Sequence, residues 1–184
     1  FRAFKHWPVI ALAGLGFVIF FIIAGANQMV NPFLETEFGI ALSTAGLITT
    51  VWGIGVVLGG AAGGAFIKRL SNRNAVITAL AVTFVAVLAL ALTPNTLVAW
   101  PVVAAFGLAY GVCQTLYYAL SMNYTDPRIA ASMFSILMAV TNVAQGVGMA
   151  VGGGLTDRIG FRWTFAIIAA VNVVALPLLP IVFQ

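Results

Sequence analysis

The sequence predicts an all-α membrane protein of six transmembrane helices, built as two inverted three-helix repeats. Three observations point there. Of the 184 residues, 62% are hydrophobic and only 7% are charged. A soluble domain keeps about a quarter of its residues charged, so lipid must be the solvent for most of this surface. Six apolar runs each approach the roughly 20 residues that a helix needs to cross a hydrocarbon core about 30 Å thick. A glycine cluster followed by a charge pair also occurs twice, about half the chain apart.

The predicted spans are, in order, Pro8–Val30, Thr44–Ile67, Ala75–Leu92, Leu97–Asn123, Ala131–Leu155 and Trp163–Phe183. Turn-type stretches separate them: Asn31-Pro32, Ser71-Asn72-Arg73-Asn74, Pro94-Asn95, Asp126-Pro127-Arg128 and Asp157-Arg158-Ile159-Gly160. The runs are too long and too uniformly apolar for barrel strands, which alternate over about ten residues. The first run is also too long for a cleaved signal peptide. No linker or low-complexity stretch interrupts the chain, so residues 1–184 are expected to form one domain, with repeat units of about 1–93 and 94–184. A single cysteine, Cys113, excludes an intrachain disulfide.

Lys and Arg in short loops favour the cytoplasmic side. With the N-terminus inside, that side receives Arg2, Lys5, Lys68, Arg69, Arg73 and Arg128, and the outside receives only Arg158 and Arg162. Both termini are therefore expected in the cytoplasm. The net charge of +4 reflects this bias. Its cations are scattered over separate loops, which excludes the patch that nucleic acid requires.

The repeat is visible where spans end. Gly63-Gly64-Ala65-Phe66-Ile67-Lys68-Arg69-Leu70 follows the pattern of Gly152-Gly153-Gly154-Leu155-Thr156-Asp157-Arg158-Ile159. Units of three spans each must lie upside down relative to one another, as in transporters built from inverted repeats. Gly55, Gly59 and Gly63, and again Gly148 and Gly152, recur every four residues, a spacing that lets helix backbones approach closely in lipid.

Polar side chains recur at helical spacing on three spans. Asn27 and Asn31, with Gln28 beside them, share a face of the first. Tyr110, Gln114, Tyr117 and Ser121 do so on the fourth; Ser135, Asn142 and Gln145 do so on the fifth. An unpaired amide in hydrocarbon costs several kcal/mol, so these stripes should face protein or a water-filled cavity. The candidate solute-binding residues are Asn27, Gln28, Tyr110, Gln114, Tyr117, Asn142 and Gln145. The same amides are also suited to hydrogen bonding between helices. Trp52 and Tyr118 offer aromatic platforms. The third and sixth spans are almost wholly apolar, with Asn172 the one strongly polar residue of the sixth.

Glu35, Glu37, Asp126 and Asp157 are the only acids, all predicted in loops or at span ends. A coupling carboxylate at mid-membrane depth, the usual mark of a proton path, is therefore not expected in this segment. The sequence has no Ser/His/Asp set, zinc-ligand spacing or phosphate-cradling loop. An enzyme, a resident cofactor and a metal are accordingly not expected. Arg158 or Arg162, beside Asp157 at a helix end, is suited to bond carbonyls left open by helix termination and so to latch one conformation. Loop solvation is the simpler role for all three.

Gly146 to Gly154, followed by Asp157-Arg158-Ile159-Gly160-Phe161-Arg162-Trp163-Thr164-Phe165, resembles the fifth-span glycine motif and following turn of the major facilitator superfamily. It lacks the proline often found in that motif. Gly63 to Arg73, including Lys68 and Arg69, resembles a degraded copy of the family's charged loop after its second span, as is typical of C-terminal halves. Pro32-Phe33-Leu34, Glu37-Phe38-Gly39, Ala45-Gly46-Leu47 and Asn123 to Ser135 are similar to AmpG-type permeases, a subfamily that includes muropeptide permeases and acetyl-CoA transporters. The resemblance implies a six-helix half of such a transporter in a bacterial or archaeal cytoplasmic membrane. In that arrangement the first and fourth helices line a cavity, and the third and sixth face lipid. It implies a secondary active transporter moving a small organic solute by alternating access. The partners would be lipid and a second six-helix half, in the same chain or in a homodimer. The alternative is a non-transporting, transporter-like scaffold among other membrane subunits.

Overall fold

The computed structural model describes residues 7–124 and 128–183, apart from the side chains of Phe66 and Ile67. Arg2, Lys5, His6 and Asp126 lie outside the described residues.

Among the described residues six helices are long and apolar enough to cross a membrane: α1 (Trp7–Phe38), α2 (Leu42–Arg69), α3 (Asn72–Ala91), α4 (Thr96–Asn123), α5 (Ala130–Ile159) and α6 (Phe161–Val182). Each starts or stops where local chemistry allows. Ser71 caps α3 by accepting the Asn74 N–H at 3.3 Å, and Asn95 caps α4 by accepting that of Val98 at 3.0 Å. The turn after α1 passes through Gly39 at φ +63°, and the turn after α5 through Gly160 at φ +80°. Both are backbone conformations that glycine enters without a Cβ penalty.

Asn31-Pro32 is not the predicted turn. The helix continues through it for six more residues, to Phe38. Pro32 removes one N–H and crowds the preceding turn, but Phe33 and Leu34 are fully buried just beyond it and hold the chain in register. The turn falls instead at Gly39, placing Glu35 and Glu37 in the last helical turn. The break appears in α6, where a turn at Val171 and a 3₁₀ segment, Leu176–Leu178, interrupt the span. Pro177 and Pro180 cannot donate to the ladder there, and the buried Asn172 amide bonds back to the Ala169 carbonyl at 2.9 Å.

Two pairings dominate, α2 with α4 and α1 with α5; a third, α3 with α6, stands beside α3–α4 and α1–α6 contacts of similar extent. Exchanging helices one to three with four to six turns the first pair into the second and maps the third onto itself. The seams repeat in detail. A methyl added at Gly55 would strike the Ala104 carbonyl oxygen, and one at Gly59 that of Leu108; Gly63 lies against Val112. On the other seam Gly148 meets the Phe21 carbonyl, Gly152 lies against Gly25 and Met29, and the Thr156 hydroxyl donates to the Met29 sulfur at 3.1 Å. Positions 55, 59 and 63 on α2 thus correspond to 148, 152 and 156 on α5, 93 residues later. Positions 104, 108 and 112 on α4 correspond to 21, 25 and 29 on α1, 83 residues earlier. The packing therefore sets Gly59, rather than Gly63, in the place of Gly152, one helical turn from the pairing that the glycine-and-charge runs suggest.

Two turns, Gly39 and Gly160, and the α3–α4 loop mark one end of the bundle, here the Gly39 end. The α2–α3 turn at Ser71 marks the opposite, or Ser71, end. At the Gly39 end Arg162 ties three helices together. It donates to the Ala91 carbonyl at 3.1 Å, pairs with Glu37 at 3.5 Å, and lies 5.7 Å from the Phe33 ring centre. The carbonyl that Arg162 serves is thus that of α3, not of its own neighbourhood. Asp157 and Arg158 are exposed in the last turn of α5, and Lys68 and Arg69 are exposed at the end of α2.

Candidate functional site

The candidate polar side chains within the spans are contributed by α1, α2, α4 and α5. On α1, Asn27 and Asn31 are half-buried and Gln28 is exposed. The Asn31 amide donates to the Thr49 hydroxyl of α2 at 3.0 Å. These residues, with Val30, Pro32 and Trp52, line a cavity of about 240 Å³ that is largely polar. Trp52 stands edge-on to Tyr110 of α4 with ring centres 5.3 Å apart, and its indole Nε1 is buried with no acceptor among the described residues. The aromatic pair and the amides together offer a flat apolar surface beside hydrogen-bonding groups, the combination that fixes small organic ligands.

Farther along α4, Gln114 is half-buried and donates to the Tyr118 hydroxyl at 3.2 Å. On α5, Asn142 is exposed and accepts from Gln145 at 3.3 Å. Six of the seven predicted binding residues therefore lie half-buried or exposed on these helices. Tyr117 does not: it is fully buried, packed on Gly16 and edge-on to Phe20 of α1. The α4 face follows the +4 path 110–114–118, which turns Tyr117 and Ser121 into the core and leaves Tyr118 outside. Thr49 escaped the sequence reading, because Thr49-Thr50 on an otherwise apolar stretch gives no helical stripe. Its one signal was position: Thr49 and Trp52 are one turn apart on α2.

No group of three metal-ligating acids, histidines or cysteines occurs among the described residues. Cys113 is buried against Thr83, sulfur to hydroxyl 2.9 Å. Asn27, Gln28, Asn31, Thr49, Trp52, Tyr110, Gln114, Asn142 and Gln145 include no carboxylate, histidine, lysine or arginine, so their chemistry is hydrogen bonding and ring contact. The larger groove of about 530 Å³ lies between α3 and α4, lined only by Ala, Val, Pro and Leu side chains, among them Val85, Pro101 and Leu108. That lining matches acyl chains rather than a polar solute. The least buried spans are α2 and α5.

Six helices apolar enough to cross a membrane, packed along two glycine-lined seams, define an integral membrane protein. Residues 12–184 match the model of the Major Facilitator Superfamily, and the chain belongs to that superfamily of membrane transporters. It is 28% identical over 132 residues to multidrug resistance protein 3 of Bacillus subtilis (strain 168), covering 69% of this chain and 25% of that protein. It is 28% identical over 152 residues to a probable actinorhodin transporter of Streptomyces coelicolor, covering 78% and 26%. The chain thus spans about a quarter of the length of these relatives. Its fold superposes on a peptide transporter solved in complex with alafosfalin, with a TM-score of 0.80 at 18% identity over 94% of this chain and 37% of the other.

Proposed function

We propose that this chain is a six-helix unit of a secondary transporter that carries a small organic solute by alternating access. The observation that supports this reading is a polar-lined cavity between α1 and α2, in a bundle otherwise suited to lipid and carrying further intramembrane amides on α4 and α5. A second six-helix unit, in the same polypeptide or a second copy, covers these residues and completes the cavity. The incomplete burial of α2 and α5, and a match that covers about a quarter of each relative, support this arrangement. Asn27, Gln28, Tyr110, Gln114, Asn142 and Gln145 contact the solute, joined by Thr49 and Trp52; Tyr117 shapes the wall from behind. The solute is uncharged where it meets this wall.

The positive-inside bias of Lys68, Arg69, Arg73 and Arg128 against Arg158 and Arg162 supports a cytoplasmic Ser71 end, with both termini inside a bacterial or archaeal membrane. The degraded loop of Gly63 to Arg73 supports a C-terminal half, with repeat units of about 1–93 and 94–184, and the Pro32–Gly39 and Asn123–Ser135 motifs support an AmpG-type subfamily. A scaffold subunit without transport is not favoured by relatives that are themselves named as transporters or resistance proteins.

Flux in proteoliposomes tests the site. The full-length chain should move at least one of a panel of neutral and charged drug-like dyes. Replacing Gln114, Asn142 and Gln145 together by alanine should then slow that dye at least tenfold, and unchanged flux would remove the wall from the mechanism.

A further inference from the structure

The register of the two seams pairs the polar residues as well as the glycines. With α4 lying 83 positions after α1, and α5 lying 93 after α2, Asn31 corresponds to Gln114 and Thr49 to Asn142. In the first pair an amide of the first helix of a repeat bonds a hydroxyl of the second, and Gln114 and Asn142 hold the equivalent positions of the other repeat. The two pairs are inverted across the membrane: Asn31 and Thr49 are seven residues from the Gly39-end termini of α1 and α2, whereas Gln114 is nine residues from the opposite terminus of α4.

The equivalent pairs are in different states. The Asn31 amide donates to the Thr49 hydroxyl at 3.0 Å, and that hydroxyl's one proton is shared between Asn31 Oδ1 at 3.3 Å and the Ala45 carbonyl of its own helix at 3.1 Å. Gln114 and Asn142 have other partners, Tyr118 and Gln145, each on its own helix. Chemically the second pair is able to do what the first does, since each amide carries both donors and an acceptor. Equivalent segments held in two arrangements are what an inverted repeat needs to exchange roles between two membrane-facing states.

We infer that Asn31–Thr49 and Gln114–Asn142 are reciprocal fasteners. One closes α1 onto α2 toward the Gly39 end while the other stands open toward the Ser71 end. In the opposite state Thr49 releases Asn31, and Gln114 leaves Tyr118 to bond Asn142. The inference rests on the transport reading for its purpose, but its geometry is independently testable.

The experiment uses the full-length chain with Cys113→Ala in proteoliposomes. Asn31→Cys/Thr49→Cys and Gln114→Cys/Asn142→Cys are each treated with a short bis-methanethiosulfonate linker, and a variant carrying all four cysteines is treated likewise. Each pair should link, but single molecules of the four-cysteine variant should carry one link or the other, never both. Linking one pair should expose the other to a water-soluble maleimide. Thr49→Ala alone should shift the balance of maleimide labelling at Gln114→Cys by about threefold, the scale of one interhelical hydrogen bond in a membrane. Double linking within one molecule, or no link between positions 114 and 142, would overturn the inference. Exclusive linking in a chain that moves no dye would preserve the fasteners and discard the transport reading.

Discussion

The α2–α4 and α1–α5 seams share one geometry but are built from different side chains. On α2–α4 both partners use glycine: Gly55, Gly59 and Gly63 face α4, while Gly107 and Gly111 lie against the backbone at Trp52 and Val56. On α1–α5 the positions equivalent to Gly107 and Gly111 are Ala24 and Gln28, and Gly63 is replaced by Thr156, hydrogen-bonded to Met29. The corners differ too. Trp52 and Tyr110 make an aromatic corner; the positions equivalent to them carry the amides Gln145 and Asn27. The fold thus needs the seam, while the side chains along it are free to divide mechanical from chemical work. The all-glycine seam is a rigid backbone contact, and the other ends on a thioether able to change rotamer.

The largest effects should come from filling the rigid seam. Gly111→Val places atoms on the Val56 carbonyl, which only separation of the helices relieves. Overpacking of this kind costs about 1–3 kcal/mol even where side chains can yield, and here backbone must move. Size-exclusion chromatography in detergent should show little or no monodisperse protein. Gly148→Ala, against the Phe21 carbonyl, should lower the thermal midpoint strongly as well. Gly152→Ala meets the flexible end of Met29 at 3.2 Å, so its cost should be about 1 kcal/mol or less and its midpoint should fall by only a few degrees. A Gly152→Ala loss equal to that of Gly148→Ala would erase the proposed difference between seam ends.

Next in size are the corners. Trp52→Ala should weaken transport of ring-bearing dyes more than Gln145→Ala does, and the order should reverse for small polyols that only hydrogen-bond. Equal losses for both solute types would mean that the two corners do not divide recognition. Smallest of all, Arg162→Ala removes a partly exposed ion pair to Glu37 and a bond to the Ala91 carbonyl. Exposed pairs contribute about 0–1 kcal/mol, so stability should change little in a thermal melt.

Apolar run length was enough to reveal all six helices, because lipid forces every backbone group into an internal hydrogen bond. Helix ends were less legible. Asn31-Pro32 carries a turn signal, but burial of Phe33 and Leu34 overrides it. Periodicity found the polar stripes on α1, α4 and α5, yet allowed either Tyr117 or Tyr118 to face the cavity. That choice depends on where Gly16 opens a slot in α1, which no local pattern on α4 reports. Thr49 was invisible because its role comes from Asn31, eighteen residues earlier. The repeat was legible, but its register was not: the charged runs after the glycines misaligned it by one turn.

The most direct measurement is aqueous accessibility in the full-length chain with Cys113→Ala. Single cysteines replace Asn27, Asn142 and, as the apolar control between α3 and α4, Val85. The polar wall predicts labelling of positions 27 and 142 by a membrane-impermeant maleimide and none at 85. Equal protection at all three positions would contradict a solute cavity on this side of the bundle.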